Sequence, residues 1–337
     1  MSQDRGPEGM RDELRGAWHR YVDLLAPLRP ALHGYCRKLT GNVWDAEDLV
    51  QDTLLRAFGH LGFLGQEVAD PKAYLLRTAT NVWIDGLRRR ATEDRVLAEA
   101  PPRPAGAARV EARSDARDAG ERVLGQLSPQ ERAAVVLKEG FDMDLAEIAA
   151  LLATSVGAVK AALHRGRERL ERVERGEAPP RPAPSAELVD RFIGLWEARD
   201  LDGLIGLLVD GGSAENVGCG LQYGRKAFEG KENFLYAAVH GHEEWPPAFR
   251  PEVVRLERRE HLGEPLVLCL VTRKGQEALE QILRIDEVDG RIARLRGYAF
   301  CPETMREVGA ALGVPVRTGL YRYPTPAPGE FYKRDVG

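Results

Sequence analysis

The chain predicts a multidomain protein: two small all-α domains, a helical bundle and a helix-turn-helix, followed by one α+β domain. Three observations lead there. From about Trp18 to Arg175, apolar residues recur at helical spacing behind clear helix-start signals. Two stretches lack any period: residues 98–118, with APPRPAGAAR at their centre, and GEAPPRPAPS at 176–185. They read as a loose linker and a semi-rigid Pro-rich spacer. Past residue 185 an opening helix gives way to short strand-like runs. A chain of 337 residues is long enough for two or three separate cores. The expected parts are a helical domain at 18–97, the linker at 98–118, a helix-turn-helix domain at 119–175, the spacer at 176–185, an α+β domain at 186–304 and a tail at 305–337.

In the first domain, Tyr21 to Leu39 is a mixed helical segment interrupted by Pro27 and Pro30, and Asp45 to Leu61 is strongly helical. Asp45, Asp48, Asp52 and Arg56 follow steps of three, four and four, so they form a polar stripe. Taken alone, such a stripe is a solvated face with a weak Asp52–Arg56 pair. Asp70-Pro71 then starts a helix running to Arg90, with Arg77, Asn81, Asp85 and Arg88 on one face, Tyr74 and Trp83 as rings, and Arg88, Arg89 and Arg90 at its end. Rings that stack unpaired bases beside cations that hold a backbone suit single-strand binding. Trp83 is also in register with Leu76 and Leu87, which fits a core position, and three terminal arginines suit a helix C-terminus.

In the second domain, Ser128-Pro129-Gln130-Glu131 is a full start signal. Asp144 with Glu147 is an acidic variant of the capping box, opening a helix with Leu145, Ile148, Ala149 and Leu152 on its apolar face. After Ala153-Thr154, Ser155 is placed to cap a second helix. There Val156, Val159, Leu163 and Leu170 form an apolar stripe, leaving Gly157, Lys160, Ala161, His164, Arg165 and Glu168 outward. A small-residue start followed by cations suits close approach to base edges and phosphates. An ordinary helical hairpin with a basic face is the plainer alternative.

The net charge of −4 does not exclude a nucleic-acid partner. Residues 1–184 hold 28 basic and 28 acidic side chains, so the deficit falls entirely after residue 184, and 153–175 carries six cations against three Glu. Four widely spaced cysteines (36, 219, 269, 301) read as reduced thiols of a cytoplasmic protein. No apolar run reaches the roughly 20 residues of a membrane span.

The order of these parts resembles the extracytoplasmic-function group of bacterial sigma factors: DAEDLVQDTLLRAF, PKAYLLRTATNVWIDGLRRR, a linker, LSPQERAAVVLKEGF and the helix-turn-helix, over about residues 18–172. The resemblance implies that the acidic helix docks on the clamp coiled coil of the RNA polymerase β′ subunit through Asp45, Glu47, Asp48, Gln51, Asp52 and Arg56. It implies minus-10 recognition and melting by Tyr74, Arg77, Asn81, Trp83, Arg88, Arg89 and Arg90. It implies minus-35 readout by Ser155, Val156, Gly157, Lys160, His164, Arg165 and Arg167. The chain departs from the family pattern at Ala153, where Gly is frequent, and at Ala162, where Arg is frequent.

Residues 185 to about 304 resemble the SnoaL-like branch of the NTF2-like cone fold, on the opening helix with Leu188, Phe192 and Trp196, the Tyr223 to Ala227 turn and the Val288 to Ile292 hairpin. Trp196, Tyr223, Phe228, His240 and Tyr298 are the pocket candidates, although aromatic residues at these spacings also serve as plain core. His240, His242 and Glu243 are the compact candidates for acid–base work, but they read as a solvated loop, and two His without a third ligand make a poor zinc site. No catalytic residue, metal site or cofactor is expected.

The expected function is therefore that of a sigma factor with core RNA polymerase and promoter DNA as partners, no membrane, and a C-terminal domain that regulates it; a separate anti-sigma factor is left open. The alternatives are a stand-alone helix-turn-helix regulator with a ligand-sensing domain, and a cyclase-like enzyme fused to a DNA-binding module.

Overall fold

A computed structural model describes residues 16–18, 20–61, 68–99, 127–171, 183–224, 228, 234–240 and 251–318. Most of both expected linkers, His242 and Glu243, and the tail past residue 318 lie outside the described residues. The helical part and the sheet part each close around a core of their own.

In the helical part, α1 (Arg29–Thr40) begins with Pro30 in its first turn and stops at Gly41, which sits at φ 86° and donates to the Arg37 carbonyl at 3.0 Å. Asn42 then starts α2 (Val43–Leu61) by accepting the Asp45 N–H at 2.8 Å. Asp70 opens α3 (Pro71–Glu99), accepting from Ala73 N at 3.0 Å. This helix runs nine residues past the expected stop at Arg90 and into the expected linker. Nothing in Ala91 to Glu99 breaks a helix, since the stretch has no Gly or Pro. Inside the bundle, Tyr35 shares a 2.6 Å hydrogen bond with Thr80, tying α1 to α3.

Helix α4 (Pro129–Val135) carries the predicted capping box in full, with Ser128 and Glu131 exchanging both bonds. It continues as a π-helical turn over Val136–Gly140. The next two helices are α5 (Leu145–Leu151) and α6 (Val156–Glu171). A single apolar cluster runs from Tyr21 through Leu163, so α1 to α6 share one core.

In the sheet part, α7 (Ala186–Glu197) is capped by Ser185 and buries Leu188, Val189, Phe192 and Trp196. A short α8 (Leu201–Leu207) is capped by Asp200. Six strands follow: β1 (Leu208–Asn216), β2 (Gly220–Tyr223), β3 (Val253–His261), β4 (Glu264–Arg273), β5 (Gln276–Val288) and β6 (Arg291–Gly297), with α9 (Phe234–Val239) after β2 and α10 (Pro302–Leu312) after β6. The strands form one sheet in the order β2-β1-β6-β5-β4-β3. This is the expected α+β architecture, built on a mixed sheet in which β1 pairs with β6 in parallel. A turn at Val217 to Cys219 separates β1 from β2, and the two strands pair antiparallel.

The β5–β6 hairpin turns at Asp289-Gly290, both at positive φ as the Asp-Gly signal requires (51° and 72°). The β3–β4 and β4–β5 hairpins turn the same way at Leu262-Gly263 and Lys274-Gly275. These two carry only the Gly half of the signal.

The expected boundary at 304 cuts through α10 and has to move. Thr304, Met305 and Val308 are buried. Gly309 lets the chain fold back, because a Cβ there would lie 2.1 Å from Val316 Cγ2. Val316 then bridges beside β5, with Leu279 N donating to the Pro315 carbonyl at 2.8 Å and Arg317 N to the Leu279 carbonyl at 3.0 Å. The domain thus extends to Arg317.

Candidate nucleic-acid interface

Helices α5 and α6 meet at 100° across their break, within the roughly 90–120° of helix-turn-helix pairs that place a second helix in the major groove. The entry to α5 is fixed by Asp144, whose carboxylate accepts the Glu147 N–H at 2.7 Å while Glu147 accepts the Asp144 N–H at 2.9 Å. Its exit is a Schellman turn: Thr154 N donates to the Ala149 carbonyl at 2.9 Å and Ala153 N to the Ala150 carbonyl at 3.4 Å. Ala153 holds the left-handed position at φ 51°, where Gly is ordinarily used. That Cβ costs about 1 kcal/mol. Ser155 then accepts the Ala158 N–H at 3.1 Å and starts α6.

Val159, Ala162 and Leu163 form the buried side of α6, and Gly166 lets it approach α4 so closely that a Cβ would stand 2.8 Å from Val135 Cγ2. Two sequence-based placements change as a result. Val156 is 38% exposed and leaves the apolar stripe, so it stands at the open end of the helix beside Gly157. Ala162 is buried, so its methyl group fills core space and no outward cationic contact is missing there. Lys160 and His164 face outward, His164 being 80% exposed at its side chain. Arg165 is not simply outward: its guanidinium donates to the buried Glu131 carboxylate at 2.8 Å. Arg167 likewise pairs with Glu139, yet both arginine side chains remain 55% exposed. Between α5, α6 and the π-turn lies a cleft of about 680 Å³ lined by Lys138, Lys160, His164 and Arg167 together with Asp144 and Glu168. Lys138, on the π-turn, belongs to this lining although its sequence position carries no such signal; its ammonium donates to the Met143 carbonyl at 3.1 Å.

On α3, Arg77, Asn81 and Arg89 are exposed and Tyr74 is half-buried against the core. The side chains of Arg88 and Arg90 lie outside the described residues. Trp83 does not stand on an open face as base stacking requires. It is 5% exposed, in register with the core, and the Arg132 guanidinium lies over its ring at 5.1 Å from the centroid. Asp85 is taken up by Arg56 of α2 at 3.3 Å.

The acidic helix α2 also splits into an inner and an outer set. Glu47 is fully buried, bonded to Arg29 at 2.5 Å and accepting from Gln51 at 2.6 Å, with His33 Nε2 4.0 Å away. Glu47 therefore has no surface to offer a partner, and Gln51 is drawn inward with it. A buried carboxylate is tolerable only with such partners. Asp45 is half-buried and holds Asn42 at 2.6 Å. Asp52 and Arg56 are exposed, Asp48 is half-buried, and Leu55, 56% exposed, adds an apolar side chain between them that the charge pattern did not reveal.

In the sheet domain the five pocket candidates do not converge. Trp196 and Phe228 are buried together in the cluster under α7, α8 and α9. Tyr223 is 70% exposed on the edge strand β2. Half-buried His240 packs against Tyr236, ring centroids 5.1 Å apart and planes tilted by 38°. Tyr298 is fully buried outside that cluster, its hydroxyl 3.4 Å from Arg284, and Arg284 in turn donates to Glu264 at 2.8 Å. Among the described residues, no group of three or more His, Cys, Asp and Glu is placed to hold a metal. No single helix among them is long and apolar enough to cross a membrane.

Residues 24–93 match the family model of sigma-70 region 2, and residues 119–170 that of sigma-70 region 4. The ECF RNA polymerase sigma factor SigG of Mycobacterium tuberculosis is 32% identical over 227 residues, covering 58% of this chain and 60% of SigG. SigJ of the same species is 34% identical over 191 residues, covering 54% of this chain and 60% of SigJ. The RNA polymerase sigma-E factor of Streptomyces avermitilis is 36% identical over 141 residues, covering 42% of this chain and 76% of that protein. The chain thus spans about 60% of the length of SigG and SigJ.

Proposed function

This chain belongs to the ECF group of RNA polymerase sigma factors, and from that premise we propose that it binds core RNA polymerase, reads minus-35 and minus-10 promoter elements and initiates transcription in the cytoplasm without catalysing covalent chemistry. The observation that carries this reading is the pairing, in one chain, of a 100° helix-turn-helix with an outward Lys160 and His164 and an α2 surface of Asp48, Asp52, Leu55 and Arg56. A stand-alone repressor has no use for the second surface. In this reading Ser155, Val156, Gly157, Lys160 and His164 meet the major groove. Arg165 and Arg167 reach phosphates from the 55% of their side chains left open beyond their carboxylate partners. Arg77, Asn81 and Arg89 track the opened strand.

The sheet domain acts in this proposal as a regulator of the helical part. The dispersal of its aromatic candidates supports a regulatory over a catalytic role.

Reconstitution with core polymerase on a promoter library tests the whole reading: the expected outcome is a stable complex and initiation at a defined sequence class. The absence of both a complex and initiation refutes it. Within that assay Arg167→Ala should weaken DNA binding about equally across sequences and lower the slope of log K against log salt by about one. A chain ending at Arg175 should initiate with altered activity; unchanged activity would refute the regulatory role.

A further inference from the structure

The exposed face of α6 carries two kinds of chemistry at its two ends. Arg165 and Arg167 are tied back to the preceding elements: Arg165 Nε donates to Glu131 of α4 at 2.8 Å, and Arg167 Nε to Glu139 of the π-turn at 3.1 Å. Glu131 is itself fixed, its side chain 3% exposed and its other oxygen accepting the Ser128 N–H at 2.9 Å. At the opening end of the helix the side chains are bare of such ties. Val156 is 38% exposed, and Gly157, Ala158 and Ala161 are exposed without a side-chain donor. The Ser155 hydroxyl already accepts the Ala158 N–H at 3.1 Å. Lys160, one turn after Val156, is exposed and forms no ion pair among the described residues.

We propose that Glu131 and Glu139 hold Arg165 and Arg167 to the phosphate backbone, and that base identity is read by Val156 against a thymine methyl group and by Lys160 against the O6 and N7 edge of a guanine. The proposal rests on the sigma-factor reading and gives its minus-35 contact a base chemistry. The first residues of a recognition helix meet base edges. Arg165 and Arg167 stand about 8 and 10 Å past Lys160 along the axis, at 1.5 Å per residue. A carboxylate on the Nε edge fixes the direction of each guanidinium and leaves its outer N–H groups to a phosphate oxygen. The ammonium of Lys160, on a flexible stem, has no such restraint. In the major groove thymine presents a methyl group, and guanine presents two acceptors and no donor. An apolar side chain and a donor-only side chain one turn apart match those two edges. Neither offers an acceptor to the N4 donor of cytosine or the N6 donor of adenine.

The test uses the full chain with bacterial core polymerase on duplexes selected from the promoter library and rebuilt with base analogues. At one minus-35 thymine, deoxyuridine removes only the methyl group and should weaken binding about fourfold. At one guanine, 7-deazaguanine removes the N7 acceptor and should weaken it at least about fivefold. Val156→Ala should lose the first sensitivity and keep the second, Lys160→Ala should do the reverse, and Lys160→Arg should keep the guanine preference. Glu139 is 53% exposed at its side chain, so Glu139→Gln frees Arg167 at a solvent-facing position. That variant should narrow the affinity gap between selected and unrelated sequences. Parent binding indifferent to both analogues, or sensitivities that persist in the two alanine variants, overturns the base assignment. An unchanged gap in Glu139→Gln overturns the role of the carboxylates. In each of these outcomes the parent still initiates, so the sigma-factor reading stands. A parent that neither binds core nor initiates overturns that reading and this proposal together.

Discussion

Helix α6 and the middle strands of the sheet hold their charges in opposite ways. Among those strands Arg284 with Glu264 is 9% and 6% exposed, and Glu280 binds both Arg273 and Arg317 with all three largely covered. Glu215 likewise holds Arg294 and Arg296. On α6 of the helical part, Lys160 and His164 stand open, and Arg165 and Arg167 keep more than half their side-chain surface in solvent. The difference separates two uses of arginine. Enclosed pairs fix one geometry and have little left for a ligand, whereas exposed cations contribute little to folding and remain available to a polyanion.

Three substitutions break or sharpen that contrast. The largest effect is expected from Glu264→Ala, which strands the buried Arg284 charge and should destabilise the sheet domain by about 3–5 kcal/mol. Chemical denaturation followed by amide exchange on β4 and β5 measures it, and a loss comparable to that of an exposed pair would erase the distinction. Next comes Gly166→Val in the helical part, where the added side chain meets Val135. Overpacking there should cost about 1–3 kcal/mol, read as a lower melting temperature, with the sheet domain unaffected. The smallest is Ala153→Gly, which relieves the left-handed Ala of the helix-turn-helix and should stabilise it by about 0.5–1 kcal/mol. No gain in melting temperature would mean that the turn carries less strain than its φ implies.

Local chemistry was the legible layer of the sequence. The Ser128–Glu131 and Asp144–Glu147 boxes, the Ser155 cap and the Asp289-Gly290 turn all depend on residues within three positions of one another, and each appears in the structure as read. Ala153 stands out only beside the family pattern, since nothing local in the sequence marks the positive φ that the Schellman turn imposes on it. What escaped depends on distant partners. A stripe at helical spacing places Glu47 on a face but does not say that Arg29, 18 residues earlier, waits there. The pairing of Trp83 with Arg132 spans 49 positions, and Tyr298 turns away from Trp196 because β5 presents Leu283 and Ile285 to one side and Arg284 to the other. Leu262 and Lys274 escaped for another reason: a following Gly makes a two-residue turn workable even when its first residue is a poor left-handed former.

The parallel pairing of β1 with β6 has a consequence for biosynthesis. Strand β6 lies between β1 and β5 in the sheet yet is the last strand to be made, with Ser213 waiting for Arg294 and Asn216 for Gly297. During translation the helical part emerges whole well before that, while β1 and β2 have only each other and the β3–β4–β5 meander stands apart with an unpaired edge. Such long-range closure is slow, and open edges in the interval invite association between nascent chains. A ribosome paused before residue 291 therefore carries a finished set of helices beside an unclosed sheet, which makes that interval the vulnerable one for the C-terminal domain.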